Sequence, residues 1–290
     1  SVPDRRRFFR AEPGGYGEGD QFFGISVPAQ RRIAKSLYRD ATLEGLEALL
    51  ADEVHEVRLT AVFMMVLRFE RAREDGERRR IVELYCRRID RVNNWDLVDS
   101  SAPHILGAHL LDHPEERALL FDWAASGRLW RQRSAVLATF AFIRAGRYEE
   151  TLELARLLLD HPHDLIHKAV GWMLREVGKR APEVEYGFLD ELASKMPRTM
   201  LRYAIEKFPE ERRRIMPVEN ANPIEETLRL IRAGREDRSR RVSFEYTMFA
   251  GVNDTAAHVD GIARLLNGLS VRINLIPFHE LDGTNLSPTP

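Results

Sequence analysis

The sequence predicts an all-α chain: a HEAT-like helical solenoid (α-α superhelix) followed by a short, incomplete α/β tail. Three observations carry that expectation. Apolar residues recur at three- and four-residue intervals from Ile33 to Leu192, as on one face of a helix, without strand-like alternation. The breaks between these runs are short and carry Gly, Pro or Asp, which suits helices lying antiparallel to their neighbours. Near Met216-Pro217 the pattern changes to β-α-β.

The elements follow in order. Residues 1–26 are expected to be irregular, because Pro13-Gly14-Gly15-Tyr16-Gly17-Glu18-Gly19-Asp20 holds no helix cheaply. From Pro28 on, Ile33, Leu37, Leu43, Leu46, Leu49 and Leu50 mark the first helices. The same spacing continues over residues 57–69, 81–89, 105–111, 118–123, 135–143, 152–159, 169–177 and 188–192. This makes about ten to twelve helices before residue 215, in pairs returning at roughly 35–40 residues, as in a divergent solenoid. A generic helical bundle is the alternative. In the tail, residues 224–233 read as a helix and 241–248 as a strand. Asp254 or Thr255 caps a helix through about Asn267, and 270–278 form a second strand. Two strands do not make a stable parallel sheet alone. The expected domains are therefore 1–215, the solenoid, and 216–290, a separate α/β piece.

Composition sets outer bounds. With 44 Lys/Arg against 45 Asp/Glu the net charge is -1, which argues against a strongly basic nucleic-acid binder. Cys86 is the only cysteine, so no intrachain disulfide and no Cys-based zinc or iron–sulfur site can form within the chain. That usage suits a reducing, cytoplasmic setting. No apolar stretch approaches the ~20 residues that span a bilayer, and the N-terminus has no signal-peptide core. The chain starts at Ser1 rather than Met, as a trimmed or partial chain would.

Two runs concentrate the chemistry: Asn93-Asn94-Trp95-Asp96-Leu97-Val98-Asp99, and residues 163–176 around His167-Lys168-Ala169-Val170-Gly171-Trp172. If residues 95–99 are helical, Trp95 and Asp99 share one face. Pro103 cannot donate to the Asp99 carbonyl, so the helix should kink or end near Asp99 and expose its carboxylate at a groove. The alternative makes Trp95 core and Asp99, Ser100 or Ser101 a cap. Leu129-Trp130-Arg131-Gln132-Arg133 offers either a phosphate clamp, a partner for Asp99, or two solvated arginines. His163 and His167 have metal-ligand spacing, but no third ligand is signalled, and no metal or other cofactor is expected. Gly171 inside a helix costs ~1 kcal/mol relative to Ala, offset by close helix approach. Lys168, Arg175, Lys179, Arg198 and Arg202, with Arg131, supply positive charge suited to a nucleic-acid backbone.

At these residues the chain resembles the DNA alkylation repair family typified by AlkD, a HEAT-like DNA glycosylase. The resemblance spans roughly residues 5–215. It rests on Phe22–Pro28, Val54-His55-Glu56-Val57-Arg58, Asn-Asn-Trp-Asp-Leu-Val-Asp, Leu-Trp-Arg-Gln-Arg-Ser and His-Lys-Ala-Val-Gly-Trp-Met-Leu-Arg-Glu. It implies excision of N3- and N7-alkylated purines from duplex DNA by a monomer, without conventional base flipping. The family's catalytic carboxylate falls on Asp99, its two sugar-contacting tryptophans on Trp95 and Trp172, and its active-site arginine on Arg133. The rival expectation is a non-catalytic scaffold for nucleic acid or protein.

The tail resembles the late barrel of RlmN-type radical-SAM RNA methyltransferases. The match is carried by Met216-Pro217-Val218-Glu219-Asn220, Phe244-Glu245-Tyr246, Gly251-Val252-Asn253-Asp254 and Asn274-Leu275-Ile276-Pro277-Phe278. That family's Cys-x3-Cys-x2-Cys motif and methyl-carrying cysteine are missing, and His279 stands where it has Asn. The tail is therefore expected to be a fusion remnant, or a join between two unrelated reading frames, without methyl-transfer chemistry.

Overall fold

Leucine spacing and well-placed caps explain why the first repeat folds as it does. The computed structural model describes residues 2–207, 228–229, 242–248, 255–269 and 271–277. Helix α1 (Val2–Phe8) precedes the glycine-rich segment, and α2 (Val27–Leu37) carries Pro28 in its first turn, which its fixed φ suits. In α3 (Leu43–Leu50), Thr42 Oγ1 accepts from Gly45 N at 3.0 Å, while Leu46 and Leu50 turn into the core. Next come α4 (His55–Arg71), α5 (Asp75–Arg87) and α6 (Trp95–Ser101). A π-helical turn, Pro103–Gly107, leads to α7 (Ala108–Asp112). Then follow α8 (Ala118–Ala125), α9 (Leu129–Arg144), α10 (Glu149–Leu157), α11 (Asp164–Gly178), α12 (Pro182–Leu192) and α13 (Arg198–Ala204).

The helices pack as a two-row solenoid. One row runs α2, α4, α6, α9, α11, α13, each touching the next; α3, α5, α8, α10 and α12 pack against it from the other side. Leu46, Met65, Ile81, Leu97, Ile105, Leu137, Phe142 and Met173 are fully buried between the rows. Two glycines permit the closest approaches. A Cβ on Gly107 would fall on the Ala138 carbonyl oxygen of α9, and one on Gly171 would fall on the Met200 carbonyl oxygen of α13.

One detail differs from the sequence expectation and another sharpens it. Residues 1–26 are not wholly irregular, since α1 precedes the glycines; seven residues are too few to show a period. Of the two outcomes expected near Asp99, a kink or an end, the helix does not end there: α6 runs to Ser101 and passes into the π turn. Pro103 has no N–H for the Asp99 carbonyl, and the turn widens so that Gly107 N bonds to Ala102 O at 2.8 Å.

The chain divides into two compact units, Ser1–Met216 and Pro217–Pro290. In the second, β1 (Val242–Met248) and β2 (Val271–Pro277) pair in parallel from Val242↔Val271 to Met248↔Pro277, joined by α14 (Ala256–Leu265) with Thr255 as its N-cap residue. The helix expected over 224–233 lies outside the described residues except at 228–229. No described helix is long and apolar enough to cross a membrane.

Candidate functional site

The site grows from the entrance of α6. Asn94 is the N-cap, its side-chain oxygen accepting from Trp95 N at 2.9 Å, and this sets the helix phase. Trp95 and Asp99, four residues apart, then both line one cleft of ≈ 470 Å³ with Asp96, Ser100, Phe63, Arg31 and Lys35. Trp95 is half-buried. It stacks on Phe9 with ring centroids 5.5 Å apart, and Phe8 meets it edge-on at 5.6 Å.

Asp99 is neither a cap nor a solvated carboxylate. Arg133, in the second turn of α9, donates to it from Nε to Oδ1 at 2.9 Å and from Nη2 to Oδ2 at 2.7 Å. Arg133 Nη1 donates to Leu165 O at 2.5 Å, and its side chain is 5 % exposed against 20 % for Asp99. The guanidinium is thus committed to the carboxylate and one carbonyl, a bidentate fork with no face left for phosphate. Of the three readings left open for Arg133, the structure gives the partner of Asp99. Burial pushes the Asp99 carboxyl above its ordinary value, while Arg133 pulls it down. Ser101 turns away and donates to Leu97 O, within reach of Tyr85 Oη.

Trp172 lies further along the same row, on α11. Its ring stands 6.2 Å from Phe140, whose face carries Arg144 at 5.1 Å and Arg180 at 5.9 Å. Arg144 borders a second hollow with Glu70 and His104, and those two residues also border the Trp95–Asp99 cleft. The structure therefore brings Trp95, Asp99 and Arg133 together directly, and connects Trp172 to them through Phe140, Arg144 and His104.

The expected backbone-binding cations are largely engaged within the protein. Arg131 donates to Asp90, Lys168 pairs with Asp164, Arg175 with Glu206 and Lys179 with Glu176. Arg198 and Arg202 are exposed, Arg202 over the Tyr203 ring. Sequence reasoning missed the cations that border the two hollows. Arg31 stacks 4.1 Å over Phe63, Lys35 stands one turn further, and Arg144 lies beyond. The signal was available as Arg31 and Lys35 at i,i+4 on α2. His163 and His167 serve the backbone: His163 Nδ1 accepts from Leu165 N as the cap of α11, and His167 Nε2 bonds to His161 O.

The sequence also gave no role to a buried set behind the cleft. His55 lies between Asp20 and Asp96, and Arg58 bonds Asp20. Burial disfavours the His55 cation, yet the two carboxylates outweigh it and hold the imidazole above its ordinary value.

Fold and site together define a helical-repeat protein with an arginine-held carboxylate beside an aromatic wall. Residues 3–208 match the model of the family described as DNA alkylation repair enzyme, and the chain belongs to that family. Among solved structures it is similar to a predicted DNA alkylation repair enzyme from Enterococcus faecalis, with TM-score 0.58 and 16% identity, covering 72% of this chain and 95% of that one. It is also similar to AlkD2 from Streptococcus mutans, with TM-score 0.46 and 19% identity, covering 72% and 100%. A separate similarity links 79 residues, 27% of the chain, to a probable dual-specificity RNA methyltransferase RlmN of Porphyromonas gingivalis (strain ATCC BAA-308 / W83) at 52% identity. The chain spans only 23% of that relative's length.

Proposed function

We propose that this member of the family is a DNA glycosylase that releases N3- and N7-alkylated purines from duplex DNA by hydrolysing the N-glycosidic bond. The observation that carries the reading is the Asp99 carboxylate, fixed on two oxygens by Arg133 and facing a cleft walled by Trp95.

The chemistry asks little of the protein. An N3- or N7-alkylpurine is cationic, so when its bond to C1′ breaks the electron pair neutralises the departing base. The sugar becomes oxocarbenium-like, and a water oxygen adds to C1′ while its proton leaves to Asp99 or solvent. The products are a free neutral base and an abasic site. Asp99 supplies negative charge beside the sugar and an acceptor that orients the water. Trp95 and Trp172 offer electron-rich faces to the cationic nucleotide. Arg133 keeps the carboxylate aimed rather than touching DNA. The step needs no cofactor, no second copy of the chain and no enclosed flipping pocket. Lys35, Arg31 and Arg144 beside the hollows, with the exposed Arg198 and Arg202, are assigned to the phosphate backbone; Arg131, Lys168, Arg175 and Lys179 would join them only by exchanging their acidic partners for phosphate. The cytoplasm is the proposed setting.

Release of free 3-methyladenine and 7-methylguanine from methylated duplex DNA tests this. The chain should release both, and Asp99→Asn should lower the rate about a hundredfold or more with the fold intact. Equal release by Asp99→Asn would remove Asp99 from its role. No release by either chain, with DNA still bound, would favour a binding scaffold.

A further inference from the structure

Four consecutive residues at the α6 entrance are each held by the segment 8–20 or by His55. Asn93 Nδ2 donates to Asp20 Oδ1 at 3.3 Å, and Asn94 Nδ2 donates to Phe9 O at 3.4 Å. Trp95 stacks on Phe9 with Phe8 at its edge. Asp96 Oδ2 lies 2.8 Å from His55 Nε2. His55 joins these contacts from behind. Its Nδ1 lies 3.1 Å from Asp20 Oδ2, so each ring nitrogen faces a carboxylate, which suits an imidazolium donating twice. Its ring lies against Phe9 at 4.5 Å and Phe22 at 5.2 Å. Arg58 donates to Asp20 Oδ1 at 2.6 Å and to the Asp52 and Glu53 carbonyls. His55, Asp20 and Arg58 are almost fully buried, and two carboxylates meet two cations there.

Leu97, Val98 and Ser101 already bury one side of this seven-residue helix, so the ties to His55 and Asp20 are additional to the packing that forms it. On the reading that the cleft is a glycosylase site, we infer that His55, paired with Asp20, is a positioning residue that sets Trp95 and Asp99 in place. Two links connect it to the cleft. Asp96, which lines the cleft between Trp95 and Asp99 in sequence, is tied to it directly, and Phe9 sits between the His55 and Trp95 rings. An imidazolium bound to Asp96 also offsets a negative charge close to Asp99. Displacements of about 1 Å at such sites cost up to about a hundredfold in rate.

The test uses two substitutions in the full chain that differ by one donor. Asn places its amide nitrogen where Nδ1 stands, and Gln where Nε2 stands. His55→Asn keeps the bond to Asp20 and loses Asp96, whereas His55→Gln keeps Asp96. Single-turnover release of 7-methylguanine should fall about ten- to a hundredfold in His55→Asn and recover most of the way in His55→Gln, with DNA affinity changed less than about threefold in both. Acrylamide quenching of Trp95, taken as the difference from the Trp95→Phe chain, should rise only in His55→Asn. Gly17→Ala is a third arm that alters no charged group. Its Cβ would meet Phe9 O and lie 3.0 Å from Asn94 Nδ2, so it should slow release in the same way; if His55→Asn does not fold, His55→Gln decides, since it keeps the Asp96 bond and a loss of about tenfold or more there would overturn the inference. Equal rates in the two His55 variants, or losses that merely follow lost thermal stability, would overturn the inference. If the unaltered chain releases nothing, the glycosylase reading fails instead, and the quenching difference still decides whether His55 holds Trp95.

Discussion

Asp99 sits between two opposed influences, and their balance is measurable. Burial raises its carboxyl and the Arg133 guanidinium lowers it, with Asp96 adding a smaller upward push. The carboxylate acts only when ionised, so release should fall as pH drops through its folded value. Arg133→Gln removes the one strong downward influence, so the acid limb of the rate profile should move to higher pH. Thermal stability should fall too, by about 3–5 kcal/mol, because a partly buried carboxylate loses its partner. An acid limb that stays in place would show that another group titrates there. That Asp99 and Trp95 share one face was legible because i,i+4 spacing is local and the Asn-Asn-Trp-Asp run is compact. The roles of Asp20 and His55 were not, since they meet across 35 positions and join Asp96 only when α4 and α6 pack together. The preference of Arg133 for Asp99 over phosphate likewise depends on burial, which no spacing reveals.

At the scale of elements, apolar period and Gly/Pro breaks located α2 to α5 and α7 to α12, because each helix buries a regular stripe, although α5, α9, α11 and α12 begin a turn or more before the run that marked them. The short helices were harder: α1 has no repeat to read, and Pro103 signals a disturbance without showing that the chain re-pairs as a π turn through Gly107 N and Ala102 O. Helix packing also hides a charge. Glu185 of α12 is 1 % exposed against the C-terminal turn of α11, and its Oε1 has no hydrogen-bond partner. Gly178 leaves the room, since a Cβ there would meet the Glu185 carboxyl. Burial pushes the carboxyl from 4.5 up to about 8 against the pull of Arg175. A raised acid binds its proton more tightly folded than unfolded, so stability declines as pH rises from 4.5 to about 8. Glu185→Gln should therefore gain stability relative to the parent at pH 9, on the order of a few kcal/mol, and little at pH 4. Melting curves at the two pH values check this, and a variant that loses equally at both would show that the site needs the acid itself.

At the scale of the whole molecule, the two units call for separate explanations. The family match ends at residue 208, inside the first compact unit, and every residue assigned to the cleft lies before it. Among its described residues the second unit shows a parallel strand pair joined by α14, and the chain's similarity there covers less than a quarter of a methyltransferase. A parallel pair is buried by helices on both faces in a complete sheet, which this unit does not supply among its described residues. Its sequence also has no cysteine for a cluster or a methyl carrier. The proposal that 1–215 and 216–290 are independent domains then has a direct consequence. Limited proteolysis should cut first near residue 216 and leave a resistant helical fragment. That fragment should release 7-methylguanine within about twofold of the intact chain and melt at the same temperature, as expected of a domain with its own core. Equal resistance across 216–290, or a fragment that loses activity while still folded, would mean that the tail has been absorbed into the working enzyme.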